Sequence, residues 1–153
     1  MMSSEWTIRN ATLILPDGLL RESGVVIRDG VIERFLKPGE FTGGGVRVTD
    51  AAGGYLAPGF IDLHIHGVHR YLVDNGPRDL TAMASILPRY GVTGWLPTVC
   101  PRPVGEDADF LRELAATKTR GSGILGFHLE GPLLSITGAV VFAIAVGSLV
   151  GVF

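Results

Sequence analysis

The sequence has 153 residues, of which 46% are hydrophobic and 18% are charged, so general disorder is excluded. With 13 Lys and Arg against 15 Asp and Glu, the formal charge is −2, and no basic excess indicates binding to nucleic acid. The single cysteine, Cys100, excludes an intrachain disulfide and fits a reducing compartment. The first residues lack the pattern of a secretory signal, so we expect a cytoplasmic protein.

Residues 1–57 are predicted to form a small β-module. Asp29 and Gly30 separate two of its strand-like segments, and this dipeptide favours the positive φ angles of a tight hairpin. No helical periodicity competes in this part of the chain. The predicted strands are 6–15, 25–28, 31–35 and 46–49.

Residues 58–135 are predicted to alternate between strands and helices. Strands are expected at 60–66, 92–98 and 124–130, with one helix in each interval. This order indicates right-handed βαβ units, a parallel sheet and the α/β class. A closed (β/α)₈ barrel needs roughly 250 residues, so this part of the chain would hold less than half of one. The apolar stripes expected to face the core are Leu80, Met83, Ala84 and Leu87 in the first helix and Phe110, Leu111 and Leu114 in the second.

Two histidines one residue apart are the sharpest chemical signal. Alternate side chains of a strand share a face, so Asp62, His64 and His66 are expected on one side. Neutral imidazole is a good metal ligand near neutral pH. We predict that His64 and His66 bind a metal ion and that Asp62 supports a ligand from behind; the alternative is a pair of surface histidines. On the opposite face we expect Ile61, Leu63 and Ile65.

A second polar pair ends the third predicted strand. His128 and Glu130 share a face, and Glu130 stands at the carboxyl end, where α/β folds place functional groups. A glutamate before Gly-Pro would ordinarily be a solvated turn residue. Its place beside His128, at the end of an apolar strand, predicts a metal-ligand or acid–base role for Glu130.

Three other polar residues are predicted to take no part in metal binding or catalysis. His69 falls in the loop after the first barrel-like strand. Cys100 has no neighbouring His or Lys in the sequence to lower its pKa, so a packing role is expected. Arg102 is expected to be solvated.

Three segments of the chain resemble the amidohydrolase superfamily and, within it, the N-acetylglucosamine-6-phosphate deacetylase family. Residues 56–67 are similar to the first barrel strand of superfamily members, which include dihydroorotases, imidases and ureases. Residues 91–98 and 126–135 narrow the resemblance, because Gly-Phe-His-Leu-Glu-Gly-Pro is typical of the deacetylases. The resemblance covers roughly residues 5–135.

The resemblance implies a β-sandwich module in residues 1–57 and the first βα units of a truncated TIM-like barrel in residues 58–135. It implies a metal-dependent hydrolase that converts N-acetylglucosamine 6-phosphate into glucosamine 6-phosphate and acetate, in amino-sugar catabolism. Glu130 matches the metal-binding glutamate of the family, His64 and His66 match the pair that binds a second ion in dinuclear members, and His128 is placed behind the ligands. The family also implies one or two divalent ions, zinc or iron, and a homodimer.

The sequence departs from the family after Ser135. Residues 136–153 carry no charge, and no histidine follows His128. The catalytic aspartate, two further histidine ligands and the sugar-phosphate-binding groups of the family therefore have no match here. We expect an incomplete, inactive chain with an aberrant C-terminus, and not a membrane anchor, because no Lys, Arg, Trp or Tyr flanks the apolar stretch. The alternatives left open are another amidohydrolase of dihydroorotase or imidase type and a non-catalytic, membrane-tethered remnant.

Overall fold

The structure is a computed structural model that describes residues 5–40, 47–103 and 106–130. The chain divides into two compact units, with the boundary between Pro58 and Gly59. The apolar stretch 136–153, which we expected to be an aberrant tail, lies outside the described residues.

The first unit is built around one sheet. Its strands are β1 (Glu5–Leu15), β2 (Gly18–Arg28), β3 (Val31–Leu36), β4 (Arg47–Asp50) and β5 (Tyr55–Leu56). β1 and β2 are antiparallel, β2 and β3 are antiparallel, and β4 and β5 both run parallel to β1, which gives the order β3-β2-β1-β4 among the described strands. The small core of this unit is formed by Ala11, Leu13 and Val25.

The predicted hairpin joins β2 and β3. Asp29 and Gly30 have φ values of 50° and 84°, the positive angles that such a two-residue turn requires. β2 is longer than the predicted segment 25–28, because it pairs with β1 back to Gly18. The described residues of this unit form a single sheet, so its place in a sandwich stays a prediction.

The second unit alternates strands and helices around one central strand. Its elements are β6 (Phe60–Ile65), β7 (Gly67–Val68), β8 (Tyr71–Leu72), α1 (Pro77–Ile86), β9 (Val92–Val99), α2 (Asp107–Ala115), β10 (Gly123–Ile124) and β11 (His128–Leu129). The central strand is β9: β6 pairs with it on one side, β10 and β11 pair with it on the other, and all three pairings are parallel. The predicted α/β class is confirmed.

Helix α1 covers one face of β9. Pro77 occupies its first turn together with the acidic Asp79, as the helix dipole and the fixed φ of proline favour. A 3₁₀ turn at Leu87–Tyr90 follows, and Gly91 ends it in the left-handed conformation with φ 77°. The resulting core contains the predicted residues of the first helix and one from the second, namely Leu80, Met83, Ala84, Leu87 and Leu114, with Val73, Val92, Trp95 and Val99.

Some boundaries in the second unit differ from the prediction. α2 ends at Ala115, shortly before Thr117 and Thr119, which are β-branched and disfavour a helix. The third predicted strand is split into β10 and β11. A short hairpin of β7 and β8, which the sequence did not predict, follows β6.

The alternating pattern of β6 does not produce a buried apolar face. Ile61 and Leu63 are 59% and 64% exposed, and only Ile65 packs against the core. The core forms where α1 and α2 cover β9, whereas β6 is an edge strand among the described strands. On the polar side of β6, His64 is exposed and Asp62 is partly buried. Within the described residues, no helix is long and apolar enough to cross a membrane.

Candidate metal centre

Three of the predicted site residues meet at the carboxyl end of the parallel sheet. His64 lies in β6, His66 follows the end of β6, and Glu130 follows β11. β9 lies between these two strands, and the backbone N–H of Glu130 donates to the carbonyl of Val99 at 3.1 Å. Because parallel strands end at one edge of the sheet, residues far apart in the chain become neighbours there.

The candidate ligand atoms form a nearly equilateral triangle. Nε2 of His64 lies 3.1 Å from Nε2 of His66 and 3.2 Å from Oε1 of Glu130. Nε2 of His66 lies 3.3 Å from the same oxygen. Around a tetrahedral ion with metal–ligand bonds of about 2.1 Å, ligand atoms are about 3.4 Å apart. The spacing and the nitrogen and oxygen donors therefore fit a shared divalent cation.

The three side chains remain partly open to solvent. Their exposed fractions are 51% for His64, 39% for His66 and 28% for Glu130. Catalytic zinc sites keep a position open to water or substrate, whereas structural zinc sites are closed by four protein ligands. With three ligand atoms among the described residues, this arrangement resembles the open kind.

Asp62 and His128 stand beside the cluster and not in it. Oδ1 of Asp62 accepts the backbone N–H of His64 at 3.1 Å, so this carboxylate holds the main chain of the strand. The ring of His128 packs edge-on against the ring of His64, with centroids 4.5 Å apart at 88°. Both contacts constrain His64 without placing either residue among the three ligand atoms.

Thr98 connects the strands below the cluster. Its side chain is fully buried, and its Oγ1 accepts a hydrogen bond from the backbone N–H of Ile65 at 3.0 Å. Ile65 lies between the two histidines in the sequence. The pairing of β6 with β9 shifts register here, so the side chain supplies an acceptor where the ladder is irregular. Nδ1 of His128 lies 3.5 Å from the same hydroxyl oxygen. One hydroxyl therefore joins β6, β9 and β11.

His69 takes no part in the cluster. Its Nε2 hydrogen-bonds the hydroxyl of Tyr90 at 2.6 Å, and the two rings stack edge to face. This placement agrees with its predicted role as a loop residue.

The prediction for Cys100 was incomplete. Its Sγ lies 3.5 Å from Nδ1 of His66, so a histidine is adjacent in space although none is adjacent in sequence. Burial, followed by the effects of Asp74, raises the pKa of the Cys100 thiol to about 11, so the thiol is uncharged at neutral pH. Cys100 directly follows β9, and the carboxyl-end rule that identified Glu130 could have found it too.

The prediction that Arg102 is solvated was wrong. Its guanidinium lies 3.4 Å from the centre of the Phe110 ring and donates to the main-chain carbonyl of Asp74 at 2.9 Å. Oδ1 of Asp74 in turn accepts the backbone N–H of Cys100 at 3.2 Å. The sequence carried no spacing signal for Asp74, because it lies in a 3₁₀ turn outside any strand pattern.

A second group of possible ligands consists of His66, Asp74 and Cys100. It shares His66 with the first cluster, and its thiol is protonated at neutral pH. The Arg102 guanidinium, 3.6 Å from Oδ1 of Asp74, opposes a further positive charge there. The first cluster is therefore the better cation site.

No family model matches the sequence. An N-acetylgalactosamine-6-phosphate deacetylase from Escherichia coli O157:H7 is 33% identical over 129 residues, covering 82% of this chain and 33% of the relative. An N-acetylglucosamine-6-phosphate deacetylase from Bos taurus is 31% identical over 132 residues, covering 80% of this chain and 32% of the relative. A dihydroorotase from Staphylococcus epidermidis is 28% identical over 110 residues, covering 66% of this chain and 23% of the relative. The chain thus spans about a third of the length of these deacetylases.

Solved structures give the same resemblance. The crystal structure of N-acetylglucosamine-6-phosphate deacetylase from Pasteurella multocida matches with a TM-score of 0.72 and 25% identity, covering 91% of this chain and 37% of that chain. A D-hydantoinase structure, at 22% identity and a TM-score of 0.57, shares the fold alone. Over most of its length the chain is therefore similar to enzymes named as amino-sugar-phosphate deacetylases.

Proposed function

We propose that this protein is a metal-dependent hydrolase that removes the acetyl group from N-acetylglucosamine 6-phosphate, giving glucosamine 6-phosphate and acetate. The observation that carries the proposal is the triangle of His64 Nε2, His66 Nε2 and Glu130 Oε1, with sides of 3.1 to 3.3 Å. The similarity to named deacetylases supports the substrate class. A β-sandwich module, a partial barrel and a homodimer belong to the same proposal.

His64, His66 and Glu130 would hold the cation. When bound, a divalent ion such as zinc or iron activates water at neutral pH and polarises the amide carbonyl of the substrate. The chain's own contribution is to direct the Nε2 atoms of both imidazoles at one point and to supply one carboxylate charge there. Asp62 and Thr98 hold the main chain on either side of His64, so the two imidazoles keep their spacing. Titration of the protein with Zn²⁺ gives the number of ions bound.

We expect the 153-residue chain by itself to turn over substrate slowly or not at all. In the proposed hydrolysis a carboxylate acts as general base on the water and as general acid on the leaving nitrogen, so it must reach both. Glu130 is assigned as a ligand of the candidate cation. Asp62 accepts a hydrogen bond from the backbone N–H of His64, and Asp74 accepts one from the backbone N–H of Cys100. Among the described residues the cluster therefore accounts for metal binding better than for proton transfer.

A second candidate function is that of another amidohydrolase, of dihydroorotase type. The observation that favours it is the similarity to a Staphylococcus epidermidis dihydroorotase, at 28% identity. The deacetylase relatives match with higher identity over a larger share of this chain, so the deacetylase is preferred. The membrane-tethered alternative depends on residues 136–153, which lie outside the described residues.

Metal binding tests the centre directly. Equilibrium dialysis of the purified chain against Zn²⁺, followed by elemental analysis, should find bound metal. The variants His64→Ala, His66→Ala and Glu130→Gln should each weaken binding by more than about tenfold, since a ligand matters at least as much as its supporting partners. The matched control is His69→Ala, which removes an imidazole bonded to Tyr90 instead of the cluster. Equal losses in His69→Ala, or no bound metal in the native chain, would contradict the centre.

Substrate comparison tests the reaction. Acetate release from N-acetylglucosamine 6-phosphate and from its galacto epimer should be measured beside ring opening of dihydroorotate. Any turnover should be confined to the acetylated sugars and be abolished by a chelator. Turnover of dihydroorotate alone would favour the second candidate, and rapid deacetylation would contradict the expected low activity of this chain.

A further inference from the structure

The two ring nitrogens of His66 have separate partners. Nε2 faces the other candidate ligands, at 3.1 Å from His64 Nε2 and 3.3 Å from Glu130 Oε1. Nδ1 faces the opposite way, 3.5 Å from Sγ of Cys100. The sulfur therefore lies behind the ligand and on the side away from the candidate cation.

A histidine that binds a metal through Nε2 carries its proton on Nδ1. An acceptor for that proton selects this tautomer and fixes the orientation of the ring. Thiol sulfur is a weak acceptor, and a sulfur hydrogen bond is longer than one to oxygen, as the observed 3.5 Å distance is.

Cys100 is itself held through Asp74, which a second residue holds in turn. Its backbone N–H donates to Oδ1 of Asp74 at 3.2 Å, and Arg102 donates to the main-chain carbonyl of Asp74 at 2.9 Å. The guanidinium of Arg102 packs on the ring of Phe110. The sulfur is therefore placed by a chain of contacts that leads back to α2, and not by packing alone.

We propose that Cys100 is a positioning residue of the metal centre, whose sulfur accepts the Nδ1–H of His66 and thereby directs the Nε2 lone pair at the cation. This inference rests on the proposed metal centre and adds a residue to it that binds no metal itself.

The test compares Co²⁺ binding by the native 153-residue chain with binding by three variants. Affinity is measured by competition with a chromophoric chelator, and the visible spectrum of bound cobalt reports the ligand geometry. Cys100→Ala should weaken binding about tenfold, at the low end of the range of roughly 10- to 100-fold for lost outer partners, because sulfur is a weak acceptor. Cys100→Ser restores an acceptor and should lie within about threefold of the native affinity.

Val99→Ala is the matched control. Its side chain is 3% exposed and belongs to the core, so the variant shortens the neighbouring residue without touching His66. It should lower stability and leave both the cobalt affinity and the cobalt spectrum unchanged.

A second measurement needs no cobalt. Nitrogen-15 NMR of the zinc-loaded protein should show the Nδ1–H of His66 exchanging slowly with solvent in the native chain and in Cys100→Ser, and rapidly in Cys100→Ala.

The outcomes separate the two proposals. A native chain that does not bind cobalt refutes the metal centre and the positioning role with it. Native-like binding by Cys100→Ala refutes only the role of Cys100. A Cys100→Ser variant as weak as Cys100→Ala, an equal loss in Val99→Ala, or rapid exchange of the His66 Nδ1–H in the native chain also refutes it.

Discussion

The hydroxyl of Thr98 is predicted to stabilise the second unit by holding the backbone between the two candidate ligands. Thr98→Val keeps the shape of this fully buried side chain but leaves the N–H of Ile65 without its 3.0 Å acceptor. An N–H left without an acceptor costs about 1–3 kcal/mol when buried, this bond is partly buried, and the added methyl group returns up to about 0.8 kcal/mol. The expected loss of unfolding free energy is therefore about 0.5–2 kcal/mol. Each kcal/mol lowers the Tm by about 4–8 °C for a unit of this size.

The assay is urea unfolding in a Trp6→Phe background, in which the fully buried Trp95 reports on the second unit. Amide hydrogen exchange of Ile65 supplies the specific readout and should accelerate in Thr98→Val. Thr98→Ser loses a buried methyl group, so its stability falls too, but its Ile65 amide should stay protected.

Thr117→Val is the control for the Thr98 experiment. It removes a hydroxyl that donates to the carbonyl of Glu113 at 2.9 Å on the surface of the protein. Its effect should stay within about 0.5 kcal/mol. Native-like exchange of the Ile65 amide in Thr98→Val would refute the reasoning, whatever the change in Tm.

Three further variants test other parts of the fold. Met83→Ala removes a fully buried side chain beneath α1 and should cost about 2–5 kcal/mol in urea unfolding; a smaller loss would mean that the core is loosely packed. Ser122→Ala removes a 2% exposed hydroxyl that has no hydrogen-bond partner in the described part of the chain, so stability should rise by about 1 kcal/mol, and a fall would reveal a partner. Hydrogen bonds from the backbone N–H of Ala52 and the side-chain amide of Asn10 lower the pKa of Asp50. The ionised carboxylate therefore stabilises the fold above the ordinary pKa of 3.8, and this stabilisation is lost as the pH falls below that value. Asp50→Asn should therefore lower the Tm at pH 7, with a deficit that closes below pH 3.8; a deficit independent of pH would contradict the assignment to charge.

The strongest signals of structure in the sequence were local ones. The 3–4 spacing of Leu80, Met83 and Ala84 predicted the buried face of α1, and Asp29-Gly30 predicted the hairpin of the first unit. These features depend on neighbours within a turn or two of the chain. Local propensity is therefore enough to specify them.

Features that depend on what lies across space were predicted less well. The alternation in β6 correctly separated its polar and apolar residues but not their burial, because burial depends on which elements cover the sheet. Cys100 and Arg102 were misjudged for the same reason. Their partners, His66 and Asp74, come from other elements, and no sequence spacing reports such contacts.

The ligands of the candidate centre are divided between positions 64, 66 and 130, and this division links cation binding to folding. An unfolded chain keeps the two neighbouring histidines but would have to close a loop of more than sixty residues to add Glu130, so it binds the ion more weakly. Zinc at a hundred times its dissociation constant should therefore raise the unfolding free energy of the second unit by up to about 2.7 kcal/mol. The described residues of the first unit contribute no ligand to the cluster, so we expect its unfolding to respond less to zinc, and the ion becomes a probe that distinguishes the melting of one unit from that of the other.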